Sequence, residues 1–171
     1  VTTKLPWLSS KPLCKMLLEQ KLIDYYVYGE GEYNFRNILT GTTSALGINN
    51  LDQQQIQDLN SLPFPSYTKI NPKDYFYIQQ PSVTVNGSRG CVRACTYCDV
   101  AHYWPNFRFK DGTRLADELY HIWQNTGVKD FEFSDSLING SVREFRKLNR
   151  RLIELQKQDA DFVITYKGQF I

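Results

Sequence analysis

Apolar residues recur along this chain at two periods, and the switching between them lays out its elements. Ser10-Lys11-Pro12 reads as a helix start with proline in the first turn, and Leu13, Met16, Leu17 and Gln20 follow at helical spacing. Residues 23–28, Ile-Asp-Tyr-Tyr-Val-Tyr, are aromatic and β-branched, which predicts a strand ending at the turn Gly29-Glu30-Gly31-Glu32. Phe35, Ile38 and Leu39 predict a second helix with Gly41 as its C-cap. Helix, strand, turn and helix in that order match the last unit of an α/β domain.

From Thr42 to Asn60 the pattern turns polar, with Gln53-Gln54-Gln55, and reads as a connector. It leads into residues 59–67, where Pro63 and Pro65 enforce an extended path while the apolar side chains pack on a neighbouring surface. Past Pro81, Ser82-Val83-Thr84-Val85 alternates as a strand. Residues 113–124 place Leu115, Leu119, Ile122 and Trp123 on one helical face, with Asp117 and Glu118 near the start and Gly127 beyond the end. Residues 128–134 then alternate Phe131 and Phe133 against Asp130, Glu132 and Ser134. Ser141 and Glu144 form an S-x-x-E capping box before a long helix that lines up Val142, Phe145, Leu148, Leu152 and Leu155. Its Arg and Lys residues read as a solvated face, and residues 162–166 predict a further strand.

From Ser82 the order is β-loop-α-β-α-β, the signature of a parallel sheet or β/α barrel. The expected fold is therefore α/β: residues 1–45 as the tail of a Rossmann-like domain, 46–69 as a linker, and 70–171 as the N-terminal part of a parallel, TIM-like β/α barrel. A barrel needs about 200 residues or more. The chain thus looks like a fragment whose sheet has an uncovered edge, and it is expected to be marginal alone.

Composition narrows the partners. Lys+Arg of 20 against Asp+Glu of 18 leaves a net charge of +2, so nucleic acid and anionic membranes are not indicated. No apolar run reaches the roughly 18 residues of a membrane span, and no signal-peptide pattern opens the chain, so a cytoplasmic protein is expected. The acidic turn at residues 29–32 is not a phosphate loop: its two carboxylates would repel phosphate, and no Lys-Ser/Thr follows.

The cysteines carry the candidate chemistry. Three of four fall in Gly87-Ser88-Arg89-Gly90-Cys91-Val92-Arg93-Ala94-Cys95-Thr96-Tyr97-Cys98, directly behind a predicted strand. Sites in parallel α/β folds are built at that end of the strands. The thiols can converge if the backbone loops around them, with Gly87 and Gly90 supplying positive φ. Such clustering favours a metal or redox site over disulfides. A four-iron cluster is ordinarily held by four thiolates, so a three-cysteine loop implies either a missing fourth ligand or an iron left open for something else. Cys14 reads as a small buried hydrophobe.

Cys91-x3-Cys95-x2-Cys98, with Tyr97 just before the last cysteine, resembles the signature of the radical SAM superfamily. The resemblance takes in Gly29-Glu30-Gly31-Glu32, the proline stretch, Ser88-Arg89-Gly90-Cys91 and Phe133-Ser134-Asp135-Ser136, in the order seen in members with an N-terminal cobalamin-binding domain. Methylthiotransferase-like members are similar from the proline stretch onward. The resemblance implies that Cys91, Cys95 and Cys98 hold a 4Fe-4S cluster and that S-adenosylmethionine (SAM) chelates the open iron. One electron, from a donor of flavodoxin or ferredoxin type, then cleaves the sulfonium to methionine and a 5'-deoxyadenosyl radical. That radical takes a hydrogen atom from an unknown substrate, with methylation or methylthiolation as the transferase outcomes.

Within the same resemblance Tyr97 either packs beside the SAM adenine or fills the space under the loop. Ser134 and Asp135 stand where many members carry Gly-Gly-Glu for the SAM amino group, so Asp135 either accepts that ammonium or is a solvated turn residue. Arg89 and Arg93 keep thiolates deprotonated or are simply exposed. Arg108, Lys110 and Arg114 read as a solvated basic edge, or meet the SAM carboxylate or an anionic substrate. The only histidines, His102 and His121, lie in no Asp-x-His-x-x-Gly motif, so cobalamin is implied only through a domain mostly upstream of Val1. A structural Cys3His zinc site with His102 as fourth ligand is the alternative, as is a partial copy acting only in binding.

Overall fold

The computed structural model describes residues 10–27, 30–42, 55–75, 81–93, 95–100, 104 and 106–170. The chain divides into two compact units, Val1–Ile56 and Gln57–Ile171. The first holds helices α1 (Ser10–Glu19) and α2 (Glu32–Leu39). Residues 23–27, expected as a strand, form none, and Tyr28 and Gly29 lie outside the described residues. A strand needs a ladder partner, and no described residue of this unit supplies one. Thr40 caps α2, one residue before the predicted Gly41, which follows at φ 65°. The acidic turn has a structural use: Glu30 is buried and its Oε2 accepts the Ile56 N–H at 2.7 Å.

The second unit is built on a parallel sheet of order β1-β4-β5, formed by β1 (Ser82–Val85), β4 (Asp130–Phe133) and β5 (Thr165–Lys167). Val83 lies opposite Phe131 and Val85 opposite Phe133, and all four are buried, whereas Thr84 and Glu132 face out. Period-two alternation therefore gives this sheet one buried face. That face packs with Leu115, Leu119 and Ile122 of α3 (Gly112–Thr126) and with Leu148 and Leu155 of α4 (Val142–Gln158). Asp111 caps α3, its Oδ1 accepting the N–H groups of Thr113 and Arg114, and Gly127 ends it at φ 66°. The two helices meet at backbone distance, since a Cβ on Gly112 would stand 2.0 Å from the Glu144 carbonyl oxygen.

Two expectations fail here for a common reason, tertiary demand overriding a local motif. Ser141 does occupy the N-cap of α4 but makes no side-chain cap bond, and Glu144 accepts the Gly112 N–H of α3 at 3.0 Å instead of closing a capping box. The N–H groups of a helix start lack intrahelical partners, and a neighbouring carboxylate satisfies one of them. Phe162, predicted to open a strand, is a core residue at a turn. It sits 4.9 Å from Tyr120 and 5.2 Å from Trp123 ring to ring, and β5 begins only at Thr165. Val142, expected on the buried face of α4, is exposed.

The proline stretch packs on α3 as its composition suggests. Leu59 is buried, Asn60 Oδ1 accepts the Asp111 N–H at 2.8 Å, and Phe64 lies between His121 and the Arg114 guanidinium. No helix among the described residues is long and apolar enough to cross a membrane.

Candidate functional site: the cysteine loop and its neck

After β1 the chain turns at Gly87, runs through β2 (Ser88–Arg89), leaves on the cysteine loop and returns through β3 (Arg108–Phe109). β2 and β3 pair antiparallel, Ser88 opposite Phe109 and Arg89 opposite Arg108, and Lys110 N–H adds a bond to Gly87 O at 2.8 Å. The cysteines thus sit on an excursion closed by a short two-stranded neck, a ribbon the sequence reading did not anticipate. Gly90 meets the expectation of positive φ, at 88°, and a Cβ there would lie 2.8 Å from Asn106 O. Gly87 does not; it is glycine for space, because a Cβ would stand 2.7 Å from Leu115 Cδ2 and 3.2 Å from Asp135 Oδ1.

The incoming side of the neck is held by Asp135, just past β4. Its Oδ2 accepts the Gly87 N–H at 2.9 Å and its Oδ1 accepts the Ser88 hydroxyl at 2.5 Å. Asp135 is 5% exposed, so the expectation of a solvated turn residue is overturned. Burial pushes its carboxyl above the usual range, against the hydrogen bonds from Ser88 and Gly87 and the nearby Lys110 charge. Ser134, beside it, is exposed, with its hydroxyl 3.3 Å from Val85 O.

The returning side is held by an ion pair. Lys110 Nζ reaches Glu118 Oε1 at 2.9 Å and Oε2 at 2.7 Å, with both side chains nearly excluded from water. Burial, and then the Glu118 charge, push the nearby Tyr67 hydroxyl upward. Arg108 is also buried; its guanidinium and that of Arg89 lie 6.0 and 5.9 Å from the Trp104 ring. Arg114 covers Phe64 and donates to Leu62 O. The expected solvated basic edge is therefore not one: Lys110 and Arg108 are interior and Arg114 packs on an aromatic ring. Glu118 reads from the sequence only as an acidic residue near the helix start, although it leaves a signal of its interior role, a carboxylate three residues after Leu115 and four before Ile122, on the apolar face of α3.

The tip is open. Cys91 and Cys98 are half-buried, Cys95 is exposed, and all three are free thiols. The Arg93 N–H points at Cys91 Sγ, 3.4 Å away, and the Cys98 N–H bonds to Cys95 O at 3.2 Å. Arg93 is exposed, and Tyr97 is 89% exposed, so it does not fill space under the loop. The structure places the thiols on one loop but does not gather them; no three His, Cys, Asp or Glu side chains among the described residues stand as they would about a metal ion. His102 lies outside the described residues, His121 packs against Phe64, and Cys14 is half-buried on α1. An open depression of about 440 Å³ lies at the carboxyl ends of β4 and β5, lined by Glu132, Ser134, Asp135, Ser136, Lys167 and Gln169 among others.

No family model matches the chain, and no solved structure matches it. Curated relatives do. The anaerobic magnesium-protoporphyrin IX monomethyl ester cyclase of Synechocystis sp. is 25% identical over 135 residues, covering 70% of this chain and 27% of the relative. The cytidylyl-2-hydroxyethylphosphonate methyltransferase of Streptomyces wedmorensis is 29% identical over 108 residues, covering 57% and 20%. A protein of Methanocaldococcus jannaschii, provisionally named a methylthiotransferase, is 26% identical over 160 residues, covering 87% and 34%. The chain resembles radical SAM proteins, at low identity and over part of each relative. It spans about a quarter of the length of these curated relatives.

That resemblance puts a specific question to the loop: whether its residues suit an iron–sulfur cluster. In donor chemistry they do. Three free thiols on one loop are soft ligands of the kind iron–sulfur clusters take, and a backbone N–H directed at a cysteine sulfur is a recurrent means of stabilising a ligating thiolate.

Proposed function

We propose that this chain carries part of the core of a radical SAM enzyme, with Cys91, Cys95 and Cys98 holding a 4Fe-4S cluster whose remaining iron takes SAM. The observation that carries the proposal is the C-x3-C-x2-C run of free thiols on a closed loop directly after β1, the first strand of a parallel sheet. A cluster held by Cys91, Cys95 and Cys98 would, once reduced, supply the one electron needed to cleave the SAM sulfonium and so begin hydrogen-atom abstraction from substrate. A low-potential donor of flavodoxin or ferredoxin type supplies that electron.

The chain's own residues prepare the place. The neck fixes where the loop starts and ends, the Arg93 N–H favours the Cys91 thiolate, and exposed Tyr97 offers a ring for the adenine. Ser134 and the depression at the ends of β4 and β5 offer polar groups to the SAM amino acid moiety. The three parallel strands form one side of a β/α barrel in this reading, residues 1–45 the end of a preceding α/β domain and 46–69 the link between them. Among the relatives, the methyltransferase and methylthiotransferase names support methylation or methylthiolation as the outcome and the cyclase name supports ring closure, on a substrate left open; cobalamin forms no part of the proposal.

Anaerobic reconstitution with iron and sulfide tests it. The expected result is a brown protein with about four irons per chain that, with dithionite and SAM, forms 5'-deoxyadenosine. Cys98→Ala should lose the colour. A colourless protein holding one tight zinc would overturn the assignment in favour of a structural site.

A further inference from the structure

Asp135 stands where a SAM-binding carboxylate is expected, yet its geometry is spent elsewhere. Both of its oxygens are occupied, one by the Gly87 N–H and one by the Ser88 hydroxyl, and the residue is 5% exposed. To accept an ammonium group it would have to release a buried backbone N–H, and a buried donor without a partner is costly. A Cβ at Gly87 would crowd Leu115 Cδ2 at 2.7 Å and Asp135 Oδ1 at 3.2 Å, so glycine leaves room for both the core and the carboxylate. Ser88 lies three residues before Cys91, across the rigid turn at Gly90.

We propose that Asp135 is a positioning residue for the cysteine loop: from the end of β4 it latches Gly87 and Ser88, and so sets where Cys91 stands relative to Cys95 and Cys98. This rests on the proposed cluster. The latch is one half of a clamp whose other half is Lys110, which joins Gly87 O through its N–H and Glu118 through its ammonium. The neck is thereby tied to the sheet on one side and to α3 on the other. The SAM ammonium is left to groups lining the open depression, such as Ser134.

The test uses the full chain as wild type, D135N, S88A and the double variant. Before reconstitution, each cysteine's alkylation by iodoacetamide is followed by peptide mapping. After reconstitution, iron content and the electron paramagnetic resonance spectrum of the dithionite-reduced protein are read with and without SAM. A latch predicts that D135N and S88A both speed alkylation of half-buried Cys91 and Cys98 by about five- to ten-fold, the size of one lost hydrogen bond, with little change at exposed Cys95. Both variants should also alter the SAM-free spectrum and shift SAM affinity by a common factor, and the double variant should be no worse than the stronger single one.

If D135N removes the SAM-induced spectral change while its alkylation and SAM-free spectrum match wild type, and S88A is unaffected, Asp135 is a SAM ligand and the latch is overturned. Variants indistinguishable from wild type on every readout overturn it as well. Should D135N fail to fold, S88A, which removes only a hydroxyl, reads the same quantities. A wild-type chain that takes up no cluster sinks the proposed function, while the alkylation rates still judge the latch.

Discussion

The neck of the cysteine loop and its tip are eight or so residues apart in sequence and are built by opposite means. The neck is largely buried and its anchors are committed: Asp135 to Gly87 and Ser88, Glu118 to Lys110, and Gly90 in a conformation and a space that admit little else. The tip leaves its groups free, with Cys95 and Tyr97 exposed and the three thiols unpaired by disulfides. The difference separates two tasks. On the proposed function, a loop that wraps a bulky inorganic group needs ends fixed by the fold and contents that the fold does not use.

The contrast can be broken most severely at Glu118. Glu118→Ala leaves the Lys110 ammonium buried without its partner, and a loss of about 3–5 kcal/mol in unfolding free energy is expected by urea denaturation. Replacing both together, Lys110→Met with Glu118→Leu, should cost much less, because no charge is then stranded. A Glu118→Ala chain as stable as wild type would show that the neck is not held from α3.

Gly90→Ala comes next. At φ 88° with a new Cβ 2.8 Å from Asn106 O, the neck must open or strain, and a loss of about 1–3 kcal/mol is expected in the same measurement. A thermal shift near zero would mean that the turn relaxes freely.

Acid should weaken the α3–α4 junction next to the neck. Asp111 and Glu144 are both held below their ordinary values, Asp111 chiefly by its bond from Lys147; for Glu144 burial pushes upward, and the Gly112 N–H, Lys147 and Arg143 together outweigh it. A carboxyl lowered in the folded state stabilises above its unfolded value, and that stability is lost as pH falls through the folded value. Asp135 runs the other way, its raised carboxyl easing the folded state as it protonates. Melting temperature should therefore fall as pH drops below about 4, with Asp111→Asn flattening the decline. An unchanged slope in that variant would remove the junction from the account.

At the tip the expected effect on folding is smallest. Tyr97→Ala and Cys95→Ser in the cluster-free chain should each change stability by no more than about 0.5 kcal/mol, as exposed positions do. A larger loss from either would erase the distinction between neck and tip.

Much of the fold was legible from periodicity. Residues 82–85 and the alternation of Phe131 and Phe133 were readable as strands, and the Leu115-Leu119-Ile122 stripe as a helix, because each buries one face against the rest. Legibility failed where the deciding partner was remote in sequence. Residues 23–27 have strand composition but no ladder among the described residues, and Glu144 abandons its local capping box for the start of α3. Phe162 follows the core and not the strand its neighbours suggested. In the site, the clustering of the three cysteines on one loop was legible from spacing, whereas Asp135 was seen as a ligand or a solvated turn and Lys110 as surface charge or the partner of an anion.

What the sequence by itself determined is local: which residues alternate, which stripe is apolar, where thiols cluster and where a glycine permits a turn. Only the tertiary structure decided what the polar groups do. Asp135 lies 47 residues from Ser88 and Glu118 lies eight from Lys110, and whether a carboxylate meets water, a hydroxyl or an ammonium depends on which elements the hydrophobic core brings together. Burial is non-directional and readable as a pattern; a hydrogen bond is directional and exists only once both partners are in place.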